Sequence, residues 1–342
     1  MELKRFSVAT FNLFNLNLPD KPMYRNPTGW TKTEFKAKAN WISQQLRRLN
    51  ADIVGFEELW HREALERVLE VGGQTDDYEV LATPAVGTEI TCAAIVRKGL
   101  LKGDPTWITN FPKTVRLQSK NDPSDPQSPQ ISVTIKNFSR PVLSFEVALR
   151  QDQPATKVFV AHLKSKLPTR VDQETWFKAD EEKYKPHATA LGAGISTIRR
   201  TAEAVALRNL LTDVMKGTVT PVLVLGDLND GQHSNTMNIL TGQPGYLVGG
   251  SKGGTDTGLY TAQTLQEYRD TRDVYYTHVH EDLRESLDHI LLSEQFYDNS
   301  HRRLWMFDGL VINNDHLNYA DQKMTGSGDH GIVQVAFKHD PA

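Results

Sequence analysis

The stretch PVLVLGDLND (residues 221–230) decides the fold, because an unbroken apolar run ends abruptly in a glycine, a carboxylate and a carboxamide. The run does not alternate polar with apolar residues, which is typical of a central strand covered on both faces. Asp227 and Asn229 are two residues apart, which predicts that both side chains project to the same side of the strand's C-terminal edge. An acceptor and an amide held there suit the positioning of a water and a phosphate, although a solvated turn after a core strand has the same pattern.

The composition is that of an ordinary globular protein. The chain has 342 residues, of which 39% are hydrophobic and 24% charged, with a formal net charge of -3. This balance argues against a uniformly basic nucleic-acid-binding surface, but it permits a local basic cleft. The single cysteine, Cys92, cannot form an intrachain disulfide and is expected to be a small core residue.

The N-terminal sequence MELKRF (residues 1–6) leads directly into a strand-like run and has no apolar signal-peptide region. No window approaches the roughly 20 apolar residues that a membrane span needs. We therefore expect a cytoplasmic protein without a membrane span, although a secreted chain trimmed of its signal would have the same sequence. The absence of a repeat or a linker-like segment predicts a single domain over residues 1–342. Nothing in the sequence indicates a protein partner.

The periodicity of apolar residues predicts many strands and two long helices. Strands are expected at 6–13, 51–56, 93–96, 131–135, 143–149, 158–163, 222–225, 289–292 and 332–337. Three- and four-residue apolar steps predict helices over 34–49 and 195–215. The turn-rich or aperiodic segments 118–130, 164–194 and 249–258 are expected to be loops.

Five further segments share the pattern of the first, with a polar residue of metal or phosphate chemistry at the end or start of a strand-like run. These residues are Asn12, the pair Glu57 and Glu58, His162, Asp288, and the pair Asp329 and His330. Any one of them alone is more often a turn residue or a solvated side chain. Six such segments in one chain indicate a shared site.

Taken together, these segments resemble the endonuclease/exonuclease/phosphatase superfamily, which includes pancreatic deoxyribonuclease, apurinic endonucleases, sphingomyelinases and inositol-polyphosphate phosphatases. The motifs that carry the resemblance are TFNL (10–13), IVGFEEL (53–59), AHLKSK (161–166), LGDLND (225–230), SLDHILLS (286–293) and SGDHGIV (327–333). The resemblance covers nearly the whole chain. It implies an α/β fold, a four-layered α/β sandwich in which two mixed, mostly antiparallel sheets pack face to face and are flanked by helices.

The resemblance also implies a reaction, the attack of water on a phosphate ester with the help of a divalent cation. Its metal ligands would be Glu58, with Asn12 and Asp329 nearby. Oxygen ligands of this kind suit Mg²⁺, and Mn²⁺ is a possible substitute. The implied catalytic residues are His162, Asp227, Asn229, Asp288 and His330. Asp288 would orient His330, and whether Asp227 or His330 removes the proton from water stays open.

Two positions depart from the family pattern. Position 57 is usually glutamine in relatives and is Glu57 here. This extra carboxylate could strengthen metal binding or pair with a base such as Arg47, while the spacing favours Glu58 as the ligand. The last motif reads Gly-Asp-His instead of the commoner Ser-Asp-His, a minor change because Asp329 and His330 are retained.

The AHLKSK segment resembles the form found in bacterial nucleases of the superfamily, which favours DNA or RNA as the substrate. Lys164 and Lys166 would supply positive charge along the phosphate backbone. Arg200 is a further candidate for substrate binding, with Arg199 as the alternative and a solvated helix face as the simpler interpretation of both.

Other substrates and roles stay open at this point. Trp176 and Phe177 can stack on unpaired bases or pack inward. The alternative enzyme is a phosphodiesterase or phosphatase for a lipid or small-molecule phosphoester, as in sphingomyelinases. A third possibility is a phosphate-binding protein without catalysis, against which the complete set of site residues argues. The sequence does not distinguish endonuclease from exonuclease action.

Overall fold

The computed structural model describes residues 2–24, 26–83, 89–121, 124, 127, 129–245, 254–270, 275–280, 282–318 and 322–339. Its strands are β1 (Arg5–Leu16), β2 (Ile53–Leu59), β3 (Tyr78–Leu81), β4 (Thr91–Arg97), β5 (Leu101–Asn110), β6 (Gln118–Ser119), β7 (Ile131–Ser132), β8 (Asn137–Val147), β9 (Thr156–Val160), β10 (Val222–Asp227), β11 (Tyr260–Thr261), β12 (His278–His280), β13 (Leu283–Glu285), β14 (Asp288–Leu292), β15 (Met306–Asn313) and β16 (Ile332–Lys338). Its α-helices are α1 (Lys32–Leu49), α2 (Arg62–Gly72), α3 (Thr175–Lys178), α4 (Glu181–Tyr184), α5 (Ala188–Met215), α6 (Asn235–Thr241), α7 (Ala262–Glu267) and α8 (Gln322–Thr325). Short 3₁₀ turns lie at Lys185–His187, Glu294–Phe296 and Asp315–Asn318.

Two six-stranded sheets form the centre of the fold. The first has the strand order β15-β16-β1-β2-β4-β3 and the second β11-β14-β10-β9-β8-β5. Each contains one parallel pair among its described strands, β1 with β2 and β9 with β10, and the other printed pairings are antiparallel. Both sheets are therefore mixed and mostly antiparallel, as the sequence predicts.

Three apolar clusters fill the spaces between the layers. The central cluster joins Val8 and Ile53 of the first sheet to Val160 and Leu225 of the second. A second cluster packs α1 and α2 against the outer face of the first sheet, and a third packs α5 and α6 against the outer face of the second. The layer order helix, sheet, sheet, helix confirms the predicted four-layered α/β sandwich.

The long helices begin earlier than their apolar periodicity predicts. Thr31 caps α1, because its hydroxyl accepts from the Glu34 N–H at 3.2 Å and the Glu34 carboxylate accepts from the Thr31 N–H at 2.8 Å. Helix α5 begins at Ala188. Its first turns pack against the chain near Thr169, whose N–H donates to the Gly192 carbonyl at 3.1 Å.

Two of the expected boundaries are wrong. The segment 164–194 is not a continuous loop, because it contains α3, α4 and the start of α5. Strand 131–135 is reduced to β7, a two-residue exposed strand that pairs only with β6. Parts of the expected loops 118–130 and 249–258 lie outside the described residues.

Strand β10 and the chain that follows β9, which carry two of the predicted site motifs, approach each other closely at one point. A Cβ on Gly226 would lie 1.9 Å from the carbonyl oxygen of Ala161, so only glycine fits between β10 and the chain that leaves β9. Cys92 is buried in the central cluster, as expected, and burial raises the pKa of its thiol. Among the described residues, no helix is both long and apolar enough to cross a bilayer.

Candidate active site

The predicted site residues converge on one end of the two facing sheets. Asp227 ends β10 and lies opposite Asp288, the first residue of the antiparallel strand β14. His162 follows the neighbouring strand β9 by two residues. From the first sheet, Asn12 of β1 lies opposite Glu57 of β2. Glu58 lies within β2. Asp329 and His330 lie just before β16, which is in the same sheet as β1 and β2.

The Asp227 carboxylate is the point at which polar groups from both sheets meet. Its Oδ2 accepts a hydrogen bond from Asn12 Nδ2 at 3.2 Å and lies 3.4 Å from His162 Nε2 and 3.9 Å from His330 Nε2. Its Oδ1 accepts from the Asn229 N–H at 3.0 Å. Burial raises the pKa of Asp227 to about 7, against the opposing effect of His330.

Asp288 and His330 form a buried carboxylate–imidazole pair. His330 Nδ1 donates to Asp288 Oδ2 at 2.8 Å, while the other Asp288 oxygen has no hydrogen-bond partner. Burial opposes the charged imidazolium, but the nearby carboxylates of Asp288 and Asp227 outweigh it and raise the pKa of His330 well above its usual range. Asp288 therefore fixes the His330 ring with its Nε2 turned toward Asp227.

The pKa of His162 is shifted in the opposite direction from that of His330. Burial, together with the charges of Arg140 and His330, holds the pKa of His162 well below its usual value. The site therefore holds one imidazole that favours the neutral form and one that favours the charged form, on either side of one carboxylate.

The placement of Asn229 corrects the strand-edge argument made from its spacing. β10 ends at Asp227, and Asn229 lies beyond it in a left-handed conformation with φ of 55°. Its side-chain amide donates to the Leu163 carbonyl at 3.1 Å. Asn229 lies next to Asp227 because of a tight turn closed by the Asp227 carboxylate, and not because of the pleat of a strand.

Glu58, Asp329 and Asn12 form the other half of the cluster. The Glu58 carboxylate accepts from the Asn15 N–H at 3.0 Å, and burial, followed by the charge of Asp329, raises its pKa. A hydrogen bond with Asn12 opposes this shift, so Asn12 joins Glu58 to Asp227. Asn12 lies at a bulge inside β1 and not at a strand end, since Phe14 and Asn15 have φ of 48° and 56°.

These three residues fit a hard divalent cation. Two carboxylates act on each other through their charges, and the Oδ1 atom of Asp329 is buried without a hydrogen-bond partner. Carboxylate and carboxamide oxygens are the ligands that suit Mg²⁺ and Mn²⁺, and the Asp329 oxygen without a partner is available to such an ion.

The structure places Glu57 away from Arg47 and in the interior. Its side chain is fully buried, and Oε1 accepts from the Thr10 hydroxyl at 3.0 Å, while Oε2 has no partner. Burial, then the charges of Asp288 and Asp227, raise the pKa of Glu57 well above its usual value. The pairing with Arg47 is wrong, because the Arg47 guanidinium reaches the Gly72 carbonyl instead.

The three basic residues expected to bind substrate already have partners. The Lys164 ammonium donates to the carbonyls of Ser165 and Leu167 at 3.2 and 3.1 Å. Lys166 pairs with Glu285 at 2.5 Å. These contacts hold the AHLKSK loop in shape, so substrate would have to displace them.

Arg200 is only 5% exposed, and its guanidinium contacts Asp230 at 3.3 Å and the Lys164 carbonyl at 3.3 Å. This placement favours support of the loop over direct contact with substrate. Arg199 is exposed and approaches the Ser139 hydroxyl at 3.5 Å. The two aromatic residues also differ, since Phe177 is buried and Trp176 is 41% exposed.

Three residues that the sequence did not single out contribute to the site. The Arg140 guanidinium, on β8, donates to the Leu163 carbonyl at 3.1 Å, and its charge acts on both Glu58 and His162. Lys38 of α1 is 2% exposed, between the rings of Phe14 and Trp30. Burial lowers the pKa of Lys38 to about 8 against the charges of Asp329 and Glu58.

His278 of β12 is the third, with its ring centroid 4.8 Å from that of His330. The sequence signals for these residues are weak: an arginine inside a strand, a lysine on the apolar face of a helix, and a histidine outside any motif.

This fold and this cluster define a protein of the phosphoesterase class. The sequence profile described as the Endonuclease/Exonuclease/phosphatase family matches residues 9–330. The chain belongs to this family, whose members are phosphoric ester hydrolases that typically use a divalent metal.

Solved structures support the fold. An endonuclease/exonuclease/phosphatase family protein from Bacteroides thetaiotaomicron is 14% identical, with a TM-score of 0.56 over 99% of both chains. Truncated TDP2 from Caenorhabditis elegans is 12% identical, with a TM-score of 0.55 over 98% of both chains. The mannosyl-6-phosphatase Bt3783 of B. thetaiotaomicron is 13% identical, with a TM-score of 0.53 over 97% of this chain and 99% of its own. A search of curated proteins gave no significant match.

Proposed function

We propose that this protein is a Mg²⁺-dependent phosphodiesterase that hydrolyses DNA or RNA through attack of an activated water. The observation that carries the proposal is the convergence of His162, His330 and Asn12 on Asp227, next to the Glu58 and Asp329 carboxylates. We also propose that residues 1–342 act as one domain. The cytoplasmic location expected from the sequence stays a prediction.

In this proposal Glu58 and Asp329 hold the cation, with Asn12 beside them, and Mn²⁺ can replace Mg²⁺. When bound, the cation stabilises the negative charge that develops on the phosphate and the leaving oxygen. The bulge that follows Asn12 in β1 and the left-handed backbone of Glu58 both depart from regular strand geometry.

We assign the proton-accepting role to Asp227. Its Oδ2 lies between the side chains of Asn12, His162 and His330, and its pKa of about 7 suits a base at neutral pH. His330 is held by Asp288 as a cation whose Nε2 can donate to a phosphate oxygen. His162, which favours the neutral form, donates a second hydrogen bond to the phosphate or the leaving oxygen. Asn229 braces the turn after Asp227.

Two features support nucleic acid as the substrate. The AHLKSK segment resembles that of bacterial nucleases, and Arg140 adds a positive charge next to Glu58 and His162. Arg140 would contact the backbone phosphate, and Lys166 would extend the path once it leaves Glu285. The half-exposed ring of Trp176 offers a surface on which an unpaired base can stack.

The test is a substrate panel with purified full-length protein in Mg²⁺ or Mn²⁺. The panel contains supercoiled plasmid, single-stranded DNA, RNA, sphingomyelin, mannose 6-phosphate and p-nitrophenyl phosphoesters. We expect the protein to cleave a nucleic acid. EDTA and the His330→Asn substitution should each abolish this cleavage, while the control His301→Asn, at an exposed histidine, should retain it. Turnover of a lipid or sugar phosphate with nucleic acid left intact would overturn the nuclease assignment. If none of these substrates is hydrolysed, the proposal that the protein is an enzyme would be wrong.

A further inference from the structure

The backbone holds His278 and His330 opposite each other. They form an antiparallel β-bridge, and the Gly331 N–H donates to the Thr277 carbonyl at 2.6 Å next to it. Side chains directly opposite across such a pair lie close enough to share a ligand. The two ring centroids are 4.8 Å apart.

A third donor, Asp329, completes a compact set. One ligand atom each from His278, Asp329 and His330 lie within 4.8 Å of one another. Asp288 holds His330 Nδ1, which leaves Nε2 to bind an ion once its proton is released to solvent, and Asp329 Oδ1 is buried without a hydrogen-bond partner. Ligands of a tetrahedral zinc ion are separated by roughly 3.3 Å, so side-chain shifts of about 1 Å would close the set around an ion.

We propose that His278, Asp329 and His330 form a binding site for a transition-metal dication of the Zn²⁺ type, which shares only Asp329 with the oxygen-only set that would hold Mg²⁺. Two imidazole nitrogens and one carboxylate oxygen are the donors that Zn²⁺ prefers, whereas Mg²⁺ binds oxygen. The Asp288–His330 hydrogen bond provides the carboxylate that typically orients a zinc-bound histidine.

The consequence of an ion at this site is inhibition, and this part of the inference rests on the proposed function. An ion bound to His330 Nε2 removes the donor that the proposed reaction directs at the phosphate. It also draws Asp329 away from the Mg²⁺ set. Zn²⁺ would therefore inhibit the Mg²⁺-dependent reaction, and His278 would determine how strongly.

The binding test needs no substrate. Zn²⁺ is titrated by calorimetry into tag-free protein without Mg²⁺, using wild type, His278→Asn and the control His280→Asn, whose ring lies next to His278 on the same strand. We expect one high-affinity ion per chain, affinity at least about tenfold weaker in His278→Asn, and little change in His280→Asn. Cys92 is buried and does not compete for the ion.

Two further readouts make the result decisive. Anomalous diffraction at the zinc edge from wild-type crystals should place the ion between His278 and His330. A peak on Glu58 without His278, or equal Zn²⁺ affinity in wild type and His278→Asn, would overturn the site. In the activity assay, the Zn²⁺ concentration for half-inhibition, each protein normalised to its own Mg²⁺-dependent rate, should rise about tenfold in His278→Asn. If the protein hydrolyses nothing, the proposed function fails, while calorimetry still decides the zinc site.

Discussion

The two halves of the cluster are built in different ways. In the imidazole half, made of His162, Asp227, Asp288 and His330, the two aspartates lie on paired strand ends and the two histidines lie just outside strands, and direct contacts between 2.8 and 3.9 Å link them. In the carboxylate half, made of Asn12, Glu58 and Asp329, a bulge follows Asn12, Glu58 has a left-handed backbone, and Glu58 and Asp329 act on each other through their charges. Each half keeps a buried carboxylate oxygen without a hydrogen-bond partner, Asp288 Oδ1 in the first and Asp329 Oδ1 in the second, so the halves differ in their backbone and not in unused oxygens.

The irregular backbone of the carboxylate half has a cost. Phe14, Asn15 and Glu58 all have φ between 48° and 62°, and such conformations cost of order 1–3 kcal/mol each in non-glycine residues. Lys38 is buried against the same side, with its charge near Glu58 and Asp329. Excess negative charge on this half is therefore balanced in part by the protein itself.

The largest effect is expected from the imidazole half. His330→Ala should lower kcat by about 10²–10⁴-fold, because it removes the cation that Asp288 orients toward the phosphate. The measurement is initial cleavage rate on the best substrate of the panel, with thermal unfolding to check that the fold is retained. The control His301→Ala, on an exposed loop, should behave as wild type. Near-full activity of His330→Ala would remove this residue from the mechanism.

The second-largest effect is expected from the carboxylate half and concerns the Mg²⁺ requirement. Glu58→Gln should raise the Mg²⁺ concentration needed for half-maximal rate by about 10–100-fold, because it removes one of the two charged oxygen ligands. Glu57→Gln, one residue away but turned into the interior, is the matched control and should leave the Mg²⁺ requirement unchanged. If the two variants exchanged these results, Glu57 would be the ligand.

A third prediction concerns the pH dependence of the imidazole half. A base must be ionised to act, and burial raises the pKa of Asp227 to about 7, so the rate should increase with pH and level off above this value. Below it the rate should fall about tenfold per pH unit. The profile of kcat/KM in Asp227→Asn should lose this limb, and a retained limb would transfer the role of base to another group.

The smallest effect is one of stability. Glu57 favours the protonated form in the folded state, so its contribution is fully present below the unfolded pKa near 4.5 and is lost as the pH rises toward the raised folded pKa. Glu57→Gln supplies a permanently neutral amide. It should raise the free energy of unfolding by about 1 kcal/mol at pH 8 and by less at pH 5, measured by urea denaturation. An equal change at both pH values would contradict a protonated Glu57.

The sequence predicted the family, the four layers and which residues meet, because strand-ending motifs place their polar residues by the regular geometry of a sheet. It failed where the backbone leaves that geometry. Asn12 and Asn229 were expected at strand ends, and they lie at a bulge and in a left-handed turn. The sequence does not predict the roles of Arg140, Lys38 and His278. These roles depend on which strands and helices face one another, and spacing along the chain does not encode this.

The structure shows how a glutamate is accommodated at the buried position 57. A buried carboxyl that keeps its proton presents one donor and one acceptor, as an amide does. The raised pKa of Glu57 therefore favours the protonated carboxyl, which adds no charge to the site.

The close approach at Gly226 has a consequence for anyone who maps this protein by exhaustive mutagenesis. Even alanine would collide with the Ala161 carbonyl and push apart the two segments that carry Asp227 and His162. Position 226 should therefore score as intolerant as the reactive residues themselves, although it contacts no phosphate. A screen that measures only activity would not distinguish Gly226, a structural position, from a catalytic residue. A parallel measurement of protein abundance would distinguish the two.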